Sequence, residues 1–297
     1  MSKKIVFVGG LHRSGTSLLQ FLLGAHPGYA AVGEVYGLIQ SGSRYLRRAG
    51  EVGCSCGVNA DQCEFWGPLV PQLRRAAQAA DADRYGLFLR HFAAFFGNGA
   101  IPVDSSKDPR ALRILNTMPD VEVEVLFSIR DVRAWTVSVQ RASEGGRHGA
   151  LGSVRTFWRW YRGNRRYMAA LQGSGLRWLT VSHEELVLRP EPSLNRIMSF
   201  LGDSVRGDML NFNQAGHHAV LVNRMKSNRE KMNHLRYDHR WFYRSGQWML
   251  PALLLPNVMK FNHAQVYGHA GNVFEDPVQA PLSEGTSPDR QVNRATQ

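Results

Sequence analysis

Short apolar runs alternate with stretches of helical periodicity along most of the chain. The runs are rich in β-branched and aromatic residues, as buried strands are, and occupy residues 4–8, 100–104, 121–129 and 178–181. Between them, apolar side chains recur at helical spacing near residues 18–23, 67–97, 151–172 and 192–201. This alternation predicts an α/β domain. The run at 121–129 ends continuously apolar, which indicates a strand within a buried sheet.

A glycine- and serine-rich turn joins the first apolar run to a helix that begins near Gly15. Gly10 and Gly15 allow the backbone to curl, and the start of a helix leaves N–H groups free to bind an anion. Arg13 adds a charged donor, and further donors are the hydroxyls of Ser14, Thr16 and Ser17. The spacing approaches the nucleotide-binding motif G-x-x-x-x-G-K-[ST], but Thr16 stands at the lysine position. The loop is therefore predicted to bind a phosphate-like group of a ligand other than a nucleoside triphosphate. The alternative is a turn that only joins a strand to a helix.

The segment Arg13-Ser14-Gly15-Thr16-Ser17, followed by two leucines, resembles the donor-binding loop of sulfotransferases that use 3′-phosphoadenosine 5′-phosphosulfate (PAPS). The resemblance implies that these five residues hold the 5′-phosphosulfate end of the donor without a metal. It also implies a P-loop-like three-layer sandwich with a central parallel sheet flanked by helices. The implied reaction moves a sulfuryl group to a hydroxyl or amine and leaves adenosine 3′,5′-bisphosphate (PAP).

A second loop strengthens the resemblance. Arg130 follows the run at 121–129, and Ser138 lies eight residues further on. In sulfotransferases an arginine and a serine at these positions grip the 3′-phosphate that distinguishes PAPS from ordinary nucleotides. The resemblance therefore assigns that contact to Arg130 and Ser138.

Two later segments are similar to other donor-binding parts of the family. The residues around Asn223-Arg224-Met225-Lys226 resemble a basic loop that closes over the 3′-phosphate, so Arg224 and Lys226 are candidates for that contact. The segment from Ser182 to Leu186 resembles the region in which an aromatic residue contacts adenine. His183 stands in its place and joins the candidate donor-binding residues.

Glu34 and Lys107 are the candidate catalytic residues. Glu34 follows the first helix after a His26-Pro27 break, and Lys107 follows the apolar run at 100–104, where open α/β sheets place ligands. Both stretches resemble catalytic segments of tyrosylprotein sulfotransferases. The resemblance makes Glu34 the general base for the acceptor and gives Lys107 the task of stabilising charge on the bridging oxygen.

The three cysteines, Cys54, Cys56 and Cys63, lie in one irregular segment. A zinc site, a disulfide and plain reduced thiols are the alternatives. A structural zinc needs four ligands, so a distant histidine would have to complete the set. We assign no metal ligand and expect the transfer chemistry to need no metal.

The chain has 297 residues and a formal net charge of +12, which favours anionic ligands. Lysines and arginines are scattered rather than collected in one tract, so we expect no nucleic-acid partner. The predicted acceptor is a small molecule, glycan or phenol. The alternatives are an atypical P-loop kinase and a non-catalytic protein that binds nucleic acid or another anion.

The expected organisation is one sulfotransferase domain over residues 1–274. Its irregular cysteine loop and helical acceptor or lid region span residues 41–97, and a disordered tail rich in polar residues follows at 275–297. We find no export signal and no apolar segment long enough to span a bilayer, so the expected location is the cytoplasm.

Overall fold

A five-stranded parallel sheet forms the centre of the computed structural model, which describes residues 3–142, 150–213, 215–222 and 235–268. The spatial order is β2-β3-β1-β4-β5, and each pair of neighbouring strands runs parallel. The strands are β1 (Lys3–Gly10), β2 (Tyr29–Gly33), β3 (Ile101–Asp104), β4 (Val121–Ile129) and β5 (Arg177–Ser182). This architecture confirms the predicted α/β fold with a central parallel sheet flanked by helices.

Helices connect and cover the strands. In chain order they are α1 (Thr16–Gly24), α2 (Val35–Ile39), α3 (Arg44–Arg47), α4 (Trp66–Arg75), α5 (Asp81–Phe96), α6 (Pro109–Thr117), α7 (Val132–Ala142), α8 (Ala150–Gln172), α9 (His183–Leu188), α10 (Pro190–Leu201), α11 (Ser245–Leu254) and α12 (Pro256–Asn262). Short 3₁₀ turns lie at Ala49–Glu51, Gly207–Asn211 and His239–Arg244, and a π-turn at His263–Tyr267. No described helix is both long and apolar enough to cross a membrane.

The core lies on both faces of the sheet because successive strand residues point to opposite sides. On one face, Phe7 and Phe127 belong to a cluster that includes residues of α4, α5 and α8. On the other, Val8 and Leu126 pack in a cluster with Leu19 and other residues of α1. Because both faces of the sheet are buried, the central strands are nearly continuous apolar runs in the sequence.

The last helices were not predicted from the sequence, yet they are tied to the end of β4. The side-chain amide of Asn262 donates to Asp131 (2.9 Å), and its oxygen accepts from Val132 N–H (2.8 Å). Asp131 also accepts from Arg133 N–H (2.7 Å), as a residue that caps the start of a helix does. A buried polar network thus fixes the C-terminal helices behind the start of α7.

Candidate functional site

The candidate residues follow the carboxyl ends of all five strands. The spatial order places β1 between β3 and β4, and connections from β1 and β4 run to opposite sides of the sheet. Open parallel sheets bind ligands in the crevice at such a reversal. The site is therefore built from the five loops at one edge of the sheet.

Three donors hold the carbonyl oxygens of the loop between β1 and α1. Trp135 Nε1 donates to the carbonyl of His12 (2.7 Å), Arg130 to that of Arg13 (3.2 Å), and Ser128 Oγ to that of Ser14 (2.8 Å). Gly15 precedes α1, and no described side chain caps this helix. The first N–H groups of α1 are consequently left to bind an anion.

The loop needs unusual backbone angles. Gly10 has φ 136° and Gly15 φ 96°, both in the region that favours glycine. A Cβ atom at Gly10 would collide with the carbonyl oxygen of Ser128, and one at Gly15 would collide with the ring of His183. Arg13 adopts φ 72°, which is uncommon for a residue with a side chain. Such strain concentrates at ligand-binding loops.

Several buried polar atoms at this edge have no hydrogen-bond partner within the described segments. They include Ser14 Oγ, Arg130 Nε and His183 Nδ1. Burial, followed by the charge of Arg130, lowers the pKa of His183 to about 3, so its imidazole is neutral at pH 7. Unsatisfied buried donors and acceptors around an uncapped helix start fit a bound anionic ligand.

A hydrogen bond between Lys107 and Glu34 links the loops that follow β3 and β2. The ammonium of Lys107 donates to Glu34 Oε1, and Lys107 is 8% exposed. Lys107 itself adopts φ 62°, a second strained residue with a side chain. The charges of Lys107 and Glu34 also act on the imidazole of His12, whose pKa is lowered mainly by burial and then by Lys107. The pair therefore lies beside the candidate anion loop, residues 11–15 between β1 and α1.

Asp104 fixes the loops that carry this pair. Its Oδ1 accepts from the N–H groups of Val35 (3.3 Å) and Ser106 (2.8 Å), and Tyr85 OH donates to its Oδ2 (2.8 Å). Burial raises the pKa of Asp104 to about 6, although the donated bonds favour its ionised form. The sequence analysis missed Asp104, although a polar residue at the end of an apolar strand was a usable signal.

Arg130 is already engaged by acidic side chains. It forms an ion pair with Asp238 (2.8 Å), and its Nε lies 3.9 Å from Glu184 Oε1. Burial and then the charge of Asp131 raise the pKa of Glu184 to about 7. Asp238 lies 108 residues from Arg130 in the chain, and no sequence pattern pointed to it.

The other candidates divide into three groups. Thr16 and Ser17 are buried at the first two positions of α1. Ser138 is half-buried near the middle of α7. Arg224 and Lys226 lie outside the described residues, as does the tail at 275–297.

Comparison with known proteins places the chain in a family. The model of the sulfotransferase family matches residues 6–206, more than half of the chain. A Caenorhabditis briggsae protein named "Putative protein-tyrosine sulfotransferase" is 25% identical over 223 residues, which cover 74% of this chain and 71% of that protein.

Two solved structures share the fold. The sulfotransferase domain of the Synechococcus PCC 7002 olefin synthase has a TM-score of 0.53 and 18% identity, covering 85% of this chain and 94% of its own. The sulfotransferase domain from the curacin biosynthetic pathway has a TM-score of 0.50 and 15% identity, covering 85% and 97%. The family model, which matches more than half of the chain, shows that the chain belongs to the sulfotransferase family.

Proposed function

We propose that the protein transfers a sulfuryl group from PAPS to a hydroxyl or amine of an acceptor. The observation that carries the proposal is the hydrogen bond between Lys107 and Glu34 beside an uncapped anion loop. A protein that only held an anion would gain nothing from a carboxylate placed there, because like charges repel. An acid–base pair next to an anion site is what transfer to a hydroxyl requires.

The donor fits the residues at the strand ends. The phosphosulfate end would lie on the N–H groups and hydroxyls of residues 13–17, where Ser14 Oγ has no hydrogen-bond partner among the described residues. Arg130 would receive the 3′-phosphate, since its guanidinium is nearly buried and its Nε makes no hydrogen bond within the same described ranges. When bound, the donor supplies the sulfuryl group and departs as PAP.

Glu34 and Lys107 would divide the chemistry between them. Glu34 Oε1 is held by Lys107, and Oε2 forms no hydrogen bond with another described residue. Oε2 can therefore accept the proton that the acceptor oxygen loses as its bond to sulfur forms. The ammonium of Lys107 would stabilise the negative charge that grows on the bridging oxygen as its bond to sulfur breaks.

The proposed acceptors span several chemical classes, whereas a single donor is proposed. The name of the Caenorhabditis briggsae relative refers to protein tyrosine, so phenols are the first group to test, together with alcohols and amines. The net charge of +12 also favours acidic acceptors, through long-range attraction.

A binding experiment separates this function from its rivals. Thermal unfolding should be measured with PAP, with ATP and Mg²⁺, and with a short oligonucleotide. A ligand at 100 times its dissociation constant adds about 2.7 kcal/mol to the free energy of unfolding. We expect this stabilisation with PAP at the lowest concentration. Stabilisation by ATP and Mg²⁺ alone would favour a kinase, and by the oligonucleotide alone a nucleic-acid-binding protein.

A further inference from the structure

Three cysteines and one histidine converge at the side of the sheet that carries β2. The ligand atoms of Cys54, Cys56, Cys63 and His218 all lie within 4.8 Å of one another. Cys63 is central: its Sγ lies 3.7 Å from the sulfur of Cys54, 3.7 Å from that of Cys56 and 3.2 Å from His218 Nδ1. His218 is the distant histidine that the sequence could not identify, since it lies 155 residues from Cys63.

The two sulfur–sulfur separations at Cys63 match those of a tetrahedral metal site. Sulfurs placed about 2.3 Å from a zinc ion at tetrahedral angles are about 3.8 Å apart. Both measured sulfur–sulfur distances are 3.7 Å. A disulfide needs about 2.05 Å between sulfurs, so the three thiols are not bonded to one another here. A disulfide between two of them would also leave the third cysteine unpaired.

His218 is brought to the cluster by contacts that do not involve the thiols. Trp66 Nε1 donates to the carbonyl of His218 (2.6 Å), and Ser55 N–H donates to that of Ala219 (2.9 Å). The Ala219 N–H in turn donates to Ser55 Oγ (2.8 Å). The rings of Phe95 and Phe65 contact the imidazole at 5.5 and 6.1 Å between ring centroids. The fold therefore positions the imidazole with partly apolar surroundings.

We infer that Cys54, Cys56, Cys63 and His218 bind one zinc ion as a closed structural site. Three thiolates and one imidazole fill the four positions that structural zinc prefers, and none remains for a substrate. The inference goes beyond the proposed sulfuryl transfer, which uses other residues.

The site would fasten the segment around Val220 to the edge of the sheet. Val220 bridges Cys54 on one side and Gly33 on the other, and its carbonyl accepts from Glu34 N–H (3.0 Å). Gly33 is required for this close approach, because a Cβ atom there would collide with the Val220 carbonyl. Zinc would thus stabilise the backbone that positions Glu34.

The direct test is the metal content of the full chain, purified under reducing conditions and reconstituted with zinc. Elemental analysis should give about one zinc per chain after excess metal is removed. Cobalt in its place should give the intense visible absorption of a tetrahedral thiolate site. Less than a tenth of an equivalent of zinc, or a disulfide among these cysteines in the reduced protein, would overturn the inference.

Variants at His218 identify the ligand set without depending on activity. His218→Ala should weaken zinc affinity by more than about 100-fold in competition with a chromophoric chelator, because loss of a hydrogen-bonding partner of a ligand alone costs 10–100-fold. His218→Cys should retain zinc with an altered cobalt spectrum. His263→Ala, at an exposed histidine, is the matched control and should leave affinity unchanged. Equal affinities for the wild type and His218→Ala would remove the histidine from the site.

Discussion

The ammonium of Lys107 donates a hydrogen bond to the carboxylate of Glu34, linking the loop after β3 to the loop after β2. The two residues lie 73 positions apart in the chain, and Asp104 bonds to the backbone of both loops. This relationship places a proton acceptor and a cation side by side next to the anion loop. The first two predictions follow from it.

Glu34→Gln should lower turnover by about 10²–10⁴-fold, the usual contribution of a positioned general base. Donor affinity should stay the same or increase slightly, because the variant removes the repulsion between the Glu34 carboxylate and the sulfate of the donor. The loss should shrink for more acidic phenols, which need less help in losing their proton. Steady-state rates on two phenols of different pKa, with a titration of PAPS in the absence of acceptor, measure all three effects.

Glu51→Gln is the control, since Glu51 is exposed and its ion pair is with its neighbour Arg48. Near-normal turnover of Glu34→Gln on the less acidic phenol would exclude Glu34 as the base. His12, beside the pair, would then be the next residue to test.

Lys107→Ala should lower turnover by about 10²–10³-fold while changing affinity for the donor PAPS much less. The reason is that charge on the bridging oxygen grows only as the bond to sulfur breaks, so it is absent from bound PAPS. Lys107→Arg should recover part of the rate by keeping the charge. Single-turnover rates and a titration of PAPS in the absence of acceptor separate the two effects; lost PAPS binding with unchanged turnover would make Lys107 a ground-state anchor instead.

Arg130→Ala should weaken PAP binding by about 2–5 kcal/mol, as expected when one partner of a buried charged pair is removed. Adenosine 5′-phosphosulfate, which lacks the 3′-phosphate, should be affected little. Arg165→Ala, at an exposed arginine of α8, should leave both ligands unaffected. Calorimetric titration of both ligands gives the comparison, and equal losses would show that Arg130 does not bind the 3′-phosphate.

Asp238→Asn tests how Arg130 is held before the donor binds. The Asp238 carboxylate lies 2.8 Å from a guanidinium nitrogen of Arg130. It would therefore compete with a phosphate for the same group. We therefore expect tighter PAP binding in this variant, measured in the same titration. Weaker binding, similar to that of Arg130→Ala, would mean that Asp238 orients the arginine rather than competing for it.

Glu184 should make stability depend on pH. Its pKa in the folded protein is about 7, above its ordinary value of 4.5, so the folded chain binds a proton that the unfolded chain releases. This contribution, about 3 kcal/mol, is fully present below pH 4.5 and is lost as the pH rises to 7. Glu184→Gln should lack it, whereas Glu191→Gln, at an exposed position, should keep it. Unfolding midpoints between pH 4 and 8 measure the difference; parallel curves for Glu184→Gln and wild type would contradict the assignment.

The sequence predicted the parts of the structure that depend on neighbouring residues. The first anion loop is an example: its glycines, its hydroxyls and the start of α1 are all contained in one short segment, and the structure has them as expected. The helix that begins at Pro109, capped by Asp108, likewise follows from rules about neighbouring residues.

Contacts between distant segments could not be predicted in the same way. Asp238 reaches Arg130, and His218 reaches Cys63, only because the chain folds back over more than a hundred residues. Periodicity and capping rules carry no information about such pairs. No metal ligand was assigned from the sequence because only three cysteines lie close together there, and the histidine beside them in the structure is 155 residues from Cys63.

The central claim, sulfuryl transfer from PAPS, is tested most directly with a sulfur-labelled donor. The protein should be incubated with labelled PAPS and separate phenol, alcohol and amine acceptors, and sulfated product and PAP should be quantified together. The account predicts one PAP released for each label transferred to at least one acceptor class, with Glu34→Gln and Lys107→Ala both strongly slowed. Transfer of the γ-phosphoryl group of ATP to these acceptors, with no labelled product from PAPS, would contradict it.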